Sequence, residues 1–295
     1  LIMVTMIGLI NANLMTVEQA ISVMLGQEIG TTMTAQIVSF HVGDFRLIFI
    51  IAGLIFLEFF PKRDWKKFGE ILMGLGIIFV GMGYMSSALD SLIEIAWIAN
   101  ALLLLGKRTW LGVLAGTVLT AITQSSSAVS SLVVAMGLSQ AITLKGAIGI
   151  ILGANIGTCI TGLIASLKLS PTARQASIAQ IIINISGVLI FLPFITPFAN
   201  LIQGTSGILA RQIANAHSIF NVAVSMILFP FTKQIASIAK SLAPVDPKKE
   251  KQKATSYIDE KQYAVPSVAI NEASRELLRL GEVTSEMITF SCQAL

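Results

Sequence analysis

A short polar cluster, Gln124-Ser-Ser-Ser127, lies in the middle of an apolar part of the chain. From Thr109 to Leu167 the sequence has a single charged residue, Lys145. Polar groups at membrane depth are costly unless they bond to each other, to the backbone or to a bound solute. Hydroxyls and backbone N–H groups can hold an anion, and the oxygens of Ser and Gln suit a hard cation. The cluster is therefore a candidate ion or anion site.

The composition predicts a polytopic membrane protein built from helices. The 295 residues are 54% hydrophobic and 12% charged, and soluble domains have about twice that charged fraction. Fifteen of the thirty-six Asp, Glu, Lys and Arg residues lie in 246–295, so this tail is expected in water. No basic face for nucleic acid, no His/Cys cluster for a metal and no nucleophile–base pair for an enzyme is visible.

The polar cluster separates two apolar arms, Thr109–Thr123 and Ala128–Gly137. As helices they would be roughly 15–23 Å long against about 30 Å of hydrocarbon, so neither spans a bilayer alone. We expect a re-entrant hairpin with its tip at Gln124–Ser127. The next span, 146–167, contains Gly153-Ala-Asn-Ile-Gly-Thr158, and we expect its helix to break there.

Two internal repeats are present. Leu25-Gly-Gln-Glu-Ile-Gly-Thr-Thr32 matches Leu152-Gly-Ala-Asn-Ile-Gly-Thr-Cys159 at an offset of 127, which predicts a second broken helix within 17–40. With the basic loop 61–67 and the Lys-rich tail taken as cytoplasmic, the two broken helices run in opposite directions. Inverted repeats with discontinuous helices are typical of secondary transporters.

The second repeat, at an offset of 37, pairs Asn184 with Asn221 and relates two spans at about 175–195 and 212–231. We expect these two amides to cap or bridge helices. His217 is interpreted as a packing or hydrogen-bonding residue, because its repeat partner is a glutamine.

The polar tip, the Gly153–Thr158 segment and Ala216-His-Ser-Ile-Phe-Asn221 resemble the bacterial branch of the type II sodium–phosphate cotransporter family. In that family two copies of the Gln-Ser-Ser-Ser hairpin form the substrate and sodium sites. The tail resembles the start of the PhoU-like helical domain of many bacterial members. The resemblance implies a sodium-coupled symporter of inorganic phosphate that works by alternating access, with sodium as its coupling ion.

The resemblance also assigns residues. Gln124, Ser125, Ser126 and Ser127 would contact phosphate, and the sodium set would be Gln27, Glu28, Thr31, Thr32, Thr123, Asn155 and Thr158. Glu28 departs from the family pattern, and from this chain's own second repeat, which has Asn155 at that position. A carboxylate there could serve as a coupling-ion ligand or as a proton site. Ser130, just beyond the tip, is expected to bond the preceding turn of its own helix.

The predicted organisation is a transport domain at 1–240, a charged linker at 241–265 and the start of the PhoU-like domain at 266–295. The first repeat covers 1–60, the second covers about 109–195, and an extra span lies at 211–231. Because Leu1 falls inside an apolar segment, we expect the chain to be truncated at its start, with a second serine-rich tip upstream, and also after Leu295.

The implied location is the bacterial inner membrane, crossed several times, with a cytoplasmic tail that could bind a regulatory protein. Two alternatives remain open. The protein could export phosphate, or it could act as a phosphate-sensing regulatory membrane protein in which transport is secondary.

Overall fold

A computed structural model describes residues 2–11, 14–40, 46–166, 171–244 and 266–293, and these residues contain helices and no strands. The helices are α1 Ile2–Asn11, α2 Val17–Val38, α3 Arg46–Phe59, α4 Arg63–Ile93, α5 Ala96–Lys107, α6 Thr109–Thr123, α7 Ser126–Leu138, α8 Leu144–Ser166, α9 Pro171–Phe191, α10 Ile195–Gln203, α11 Leu209–Leu228, α12 Thr232–Leu242 and α13 Pro266–Gln293. The all-α prediction is confirmed. Residues 245–265, most of the predicted linker, lie outside the described part of the chain.

Several segments are long and apolar enough to cross a membrane. Within the described part of the chain, four qualify by length and hydropathy: Arg63–Ile93, Leu144–Ser166, Pro171–Gln203 and Leu209–Leu242. Helices α5 and α6 meet at an angle of 115° and would count as a fifth if they form one span. The protein is therefore a multi-pass membrane protein.

The chain divides into two compact units, Leu1–Ala243 and Pro244–Leu295. The larger unit has a core of small and branched residues from α1, α2, α7, α8, α9 and α11. In the smaller unit α13 is a single helix, in which Glu276 pairs with Arg279 while Leu277 and Leu280 stay exposed.

The predicted hairpin around the polar tip is present. Helix α6 runs parallel to α8, because Gly112 contacts Gly146 and Gly149 while Thr120, two turns later, contacts Gly157. Helix α7 is joined to α8 by a short connection and packs against it, so the two run in opposite directions. Helices α6 and α7 are therefore antiparallel arms that meet at Gln124 and Ser125.

The predicted breaks in the two glycine-containing helices are wrong. Both α2 and α8 are continuous through Gly26–Thr32 and Gly153–Thr158. In α8 the glycines allow close helix packing, because a Cβ on Gly153 would overlap the Val113 carbonyl oxygen of α6. Glycine can remain inside a helix when neighbouring helices in the membrane must approach closely. The backbone interruption lies instead at the hairpin tip.

Both repeats are confirmed in the helices. Helices α2 and α8 begin 127 residues apart, at Val17 and Leu144, and each follows a shorter helix, α1 or α7. The second repeat covers two kinked units, α9–α10 and α11–α12. Each contains a short 3₁₀ turn with a proline, Leu192–Phe194 in one and Phe229–Phe231 in the other.

Equivalent helices also pack in equivalent pairs. Helix α2 packs on α11 and α8 on α9, while α1 packs on α9 and α7 on α11. Helix α11, predicted as an extra span, is thus the partner of the first half in the way that α9 is the partner of the second.

Helices α2 and α8 each run antiparallel to the helix on which they pack. Helix α2 is antiparallel to α11, since Leu25 contacts Ser225 while Gln36 contacts Asn215. Helix α8 is likewise antiparallel to α9, where Cys159 contacts Asn184 and Gly162 contacts Ser177.

Helices α9 and α11 are themselves antiparallel. Gln175, near the start of α9, bonds the carbonyl of Ala243 after the end of α12, and Gln212, near the start of α11, bonds the carbonyl of Ser206 after the end of α10. Helices α2 and α8 therefore run in opposite directions, as the inverted repeat predicts.

Candidate functional site

The tip of the α6–α7 hairpin presents a helix N-terminus and three hydroxyls. Gln124 ends α6 in a left-handed backbone conformation with φ of 53°. Ser125 caps α7, and its Oγ accepts a hydrogen bond from the Ala128 N–H at 3.2 Å. The hydroxyls of Ser126 and Ser127 are half-buried and have no hydrogen-bond partner among the described residues. Hydroxyls beside the free N–H groups of a helix N-terminus form an arrangement suited to an anion.

Other hydroxyls surround the tip. Thr123 Oγ1 donates to the Leu119 carbonyl at 2.9 Å, which leaves the lone pairs of its oxygen available. Thr120 Oγ1 and Ser130 Oγ are buried without a partner in the described part of the chain. The expectation that Ser130 bonds the preceding turn is therefore wrong. Buried polar atoms without partners are rare and costly, and such atoms often lie beside bound water, ions or functional sites.

A buried carboxylate of α2 is hydrogen-bonded to two side-chain amides of α9. The Glu28 carboxylate is 5% exposed, and its Oε1 accepts hydrogen bonds from Asn184 Nδ2 at 3.2 Å and Gln180 Nε2 at 3.4 Å. The same Asn184 nitrogen lies 3.4 Å from Cys159 Sγ of α8. The Gln180 Oε1 atom is buried and has no partner among the described residues. We call Glu28, Gln180 and Asn184 the acidic node.

The equivalent contact in the second half lies between α8 and α11. Asn155 Nδ2 donates to Asn221 Oδ1 at 3.4 Å, and Asn221 Nδ2 donates to the His217 carbonyl at 3.2 Å. We call Asn155, His217 and Asn221 the amide node. Each of its members follows its counterpart in the acidic node, Glu28, Gln180 or Asn184, at one of the two repeat offsets. The prediction that both repeat asparagines bridge helices is confirmed.

The remaining predicted ligands are divided between bonded and free side chains. Thr32 Oγ1 donates to the Ile29 carbonyl at 2.8 Å and accepts from Ser218 Oγ at 3.1 Å. Thr158 Oγ1 donates to the Ala154 carbonyl at 2.9 Å. Gln27 Oε1 is buried and has no hydrogen-bond partner in the described ranges, and Thr31 is half-buried.

One stretch of α8 connects the tip with both nodes. Thr120 of the hairpin contacts Gly157, which lies between Asn155 of the amide node and Cys159 beside the acidic node. No hydrogen bond in the described ranges joins Ser125, Ser126 or Ser127 directly to Glu28 or Asn155. The structure therefore places Asn155 and, through Asn184 and Cys159, Glu28 along the segment of α8 that Thr120 of the hairpin contacts.

The sequence-based site omitted the side chains supplied by α9 and α11. The sequence predicts Asn184 and Asn221 to cap or bridge helices and does not select Gln180, although the 37-residue repeat aligns the two asparagines. Thr120 and Ser218 were not selected. The available signal was the polarity of these residues within otherwise apolar spans.

The model of the Na+/Pi-cotransporter family matches residues 1–87 and 93–204, a region that contains the hairpin tip and the acidic node. The chain belongs to this family. Within the Na+/Pi-cotransporter family, it is 30% identical to YqeW of Bacillus subtilis (strain 168), a protein whose name assigns no function, over 82% of this chain and 78% of the relative.

Two further relatives carry functional names. The chain is 23% identical to YjbB of Escherichia coli (strain K12), named for a proposed role in inorganic phosphate export, over 94% of this chain and 51% of that protein. It is 49% identical to the human sodium-dependent phosphate transport protein 2B over 57 residues, which are 19% of this chain and 8% of that protein. The chain thus spans about half the length of YjbB. No solved structure matches it to a comparable standard.

Proposed function

We propose that this protein moves inorganic phosphate across a membrane in symport with sodium, by alternating access between the two inverted halves. The observation that carries the proposal is the hairpin tip, where Ser126 and Ser127 present free hydroxyls beside the N-terminus of α7 in a chain of the Na+/Pi-cotransporter family. Gln124 and Ser125 complete the phosphate contacts. Such a site can hold a phosphate through neutral donors alone.

We assign sodium to side-chain oxygens of α2, α8 and the end of α6. The proposed ligands are those of the sequence prediction: Gln27, Glu28, Thr31, Thr32, Thr123, Asn155 and Thr158. Hydroxyl, amide and carboxylate oxygens are the ligands that hard cations prefer. The hydrogen bonds that Thr32 and Thr158 donate leave lone pairs on both oxygens for a cation.

The test is uptake of radiolabelled phosphate by proteoliposomes that contain the full-length protein, with and without an inward sodium gradient. We expect uptake that requires sodium and that falls at least about tenfold in Ser126→Ala, the loss expected for one hydrogen bond to a charged group. Ser91→Ala is the matched control, because the Ser91 hydroxyl is exposed and bonds the Ser87 carbonyl of its own helix. Unchanged flux in Ser126→Ala would remove the tip from the site.

Export is a second candidate, favoured by the similarity to YjbB over 94% of this chain. Proteoliposomes loaded with phosphate distinguish the two directions. Sodium-driven accumulation supports import, whereas efflux down the phosphate gradient that requires no sodium on either side supports export.

A regulatory role for the tail is a further proposal, supported by its separation as a unit and by exposed Leu277 and Leu280 on α13. We propose the bacterial inner membrane as the location, with loop 61–67 and the tail in the cytoplasm, because basic loops remain on that side. Alkaline phosphatase fused after residue 244 should be inactive. An active fusion would indicate the opposite orientation, with the tail outside the cytoplasm.

A further inference from the structure

The acidic node contains a buried carboxylate whose charge no described basic side chain compensates. Lys240 pairs with Glu18, ten residues before Glu28 and so about 15 Å away along α2. Arg211 bonds the Gln36 carbonyl and Ser39 Oγ, about 12 Å or more beyond Glu28 in the other direction. An isolated charge in a low-dielectric interior is too costly to keep without a compensating charge.

In the described parts of the other helices packed on α2, no basic side chain balances the charge of Glu28 either. In α11 the one buried titratable side chain is that of His217, and no hydrogen bond among the described residues joins it to Glu28. The charged side chains of α4 and Arg174 of α9 are exposed, and the described parts of α1 and α7 have no charged side chain. The neighbouring group from α8 is the Cys159 thiol, which contacts Asn184. The Glu28 carboxyl group must therefore either hold a proton or be compensated by a bound cation.

The donor atoms around Glu28 fit a metal cation. Gln180 is 1% exposed, and its Oε1 has no partner among the described residues. The two amide hydrogen bonds to Glu28, at 3.2 and 3.4 Å, are longer than the usual 2.9–3.0 Å. Rotation of the terminal amides of Gln180 and Asn184 would turn their oxygens toward the carboxylate and exchange weak N–H contacts for cation ligands.

We propose that Glu28, Gln180 and Asn184 together bind one sodium ion between α2 and α9, and that the equivalent amide node does not bind a cation with comparable affinity. Gln180 and Asn184 are thereby added as ligands. The difference follows from charge: Asn155 replaces the carboxylate, and His217 replaces the amide whose oxygen is free. The inference deepens the proposed function, since it assigns sodium to specific ligands and makes the two inverted halves unequal.

The test measures sodium binding to the purified full-length protein in detergent, by radiolabelled sodium and by the rise of the unfolding temperature with sodium. We expect Glu28→Asn to bind one sodium fewer than the wild type. Gln180→Ala and Asn184→Ala should weaken one site by about tenfold or more, the loss expected for one hydrogen bond or ligand to a charged group. Gln234→Ala, which removes an exposed amide from α12, is the matched control.

A second measurement separates loss of the site from loss of the fold. Without sodium, Glu28→Asn and Glu28→Gln should unfold at or above the wild-type temperature, because each removes an uncompensated charge. The inference is overturned if Glu28→Asn keeps the wild-type sodium count. It is also overturned if the stabilisation by sodium disappears in Asn155→Ala and persists in Glu28→Asn, or if only pH and no alkali cation affects the difference between wild type and Glu28→Asn.

Binding and transport are independent readouts. Loss of one sodium in Glu28→Asn, in a protein whose wild type moves no phosphate, would support the node and refute the proposed function. Sodium-driven phosphate flux with an unchanged sodium count in Glu28→Asn would support the proposed function and refute sodium binding at the acidic node.

Discussion

The two inverted halves of the protein share their helices and differ in how those helices are held. Helix α8 is covered by the hairpin arm α6, so a Cβ on Gly153 or Gly157 would meet the backbone of that arm. Among the described residues, no atom lies within 4 Å of such a Cβ on the equivalent Gly26 or Gly30 of α2. Helix α2 instead carries the carboxylate of Glu28 and is held at both ends by side chains of α11 and α12. The same sequence pattern thus supports close packing in one half and a charged site in the other.

The largest expected difference between the halves concerns their glycines. Gly153→Ala should lower the stability of this 295-residue chain by about 3 kcal/mol, because its Cβ would overlap the Val113 carbonyl oxygen. Gly26→Ala at the equivalent position should be neutral or slightly stabilising, because alanine has the higher helix propensity. Thermal unfolding in detergent measures both. An equal loss at Gly26 in the full-length protein would mean that this face of α2 is covered there.

The second difference concerns the paired arginines of the 37-residue repeat. Arg211 bonds the Gln36 carbonyl and Ser39 Oγ at 3.3 and 3.0 Å, and its guanidinium lies 4.2 Å from the centre of the Phe40 ring. Arg211→Ala should cost about 2 kcal/mol through these lost contacts. The exposed Arg174 is the matched control, and Arg174→Ala should change the unfolding free energy by less than about 0.5 kcal/mol. Equal losses would remove this asymmetry between the halves.

Exchange of the node residues tests whether the nodes are equivalent. In the double variant Glu28→Asn/Asn155→Glu, the carboxylate should meet Asn221 as it meets Asn184 in the wild type. We expect partial recovery, with sodium affinity below the wild type by about tenfold (about 1.4 kcal/mol) or more because His217 lacks the free amide oxygen of Gln180, whereas Glu28→Asn alone loses the site. A sodium titration of the unfolding temperature measures the recovery. A double variant that behaves like Glu28→Asn would show that position, and not charge alone, defines the site.

The smallest expected effect is at the ion pair between Glu18 and Lys240, whose side chains are 38% and 49% exposed. Lys240→Ala should cost about 0.5 kcal/mol, as surface pairs usually do, and most of that difference should disappear in 1 M salt. The equivalent positions, Lys145 and Gln203, cannot form an ion pair, so Lys145→Ala is the control. A salt-independent loss at Lys240 above about 2 kcal/mol would contradict a surface pair.

Much of the architecture could be predicted because the signals were local. Short apolar arms around Gln124–Ser127 predicted the hairpin, and two matches at fixed offsets predicted repeats whose helices run in opposite directions. The breaks predicted at Gly26–Thr32 and Gly153–Thr158 were wrong, because glycine weakens a helix and also permits close approach of a second helix. Which of these effects prevails depends on what the glycine faces, and a single sequence does not give that information.

The sequence by itself determined the membrane class, the hairpin with its serine tip and the position of one carboxylate where the second repeat has an amide. Those properties depend on composition and on spacing along the chain. Only the tertiary structure decided that Gln180 and Asn184 meet Glu28, and that Asn221 meets Asn155, across more than sixty residues of sequence. Hydrogen bonds between helices depend on which faces pack together. Packing is a property of the whole assembly of helices, so the polar tip was visible in the sequence while the partners of Glu28 were not.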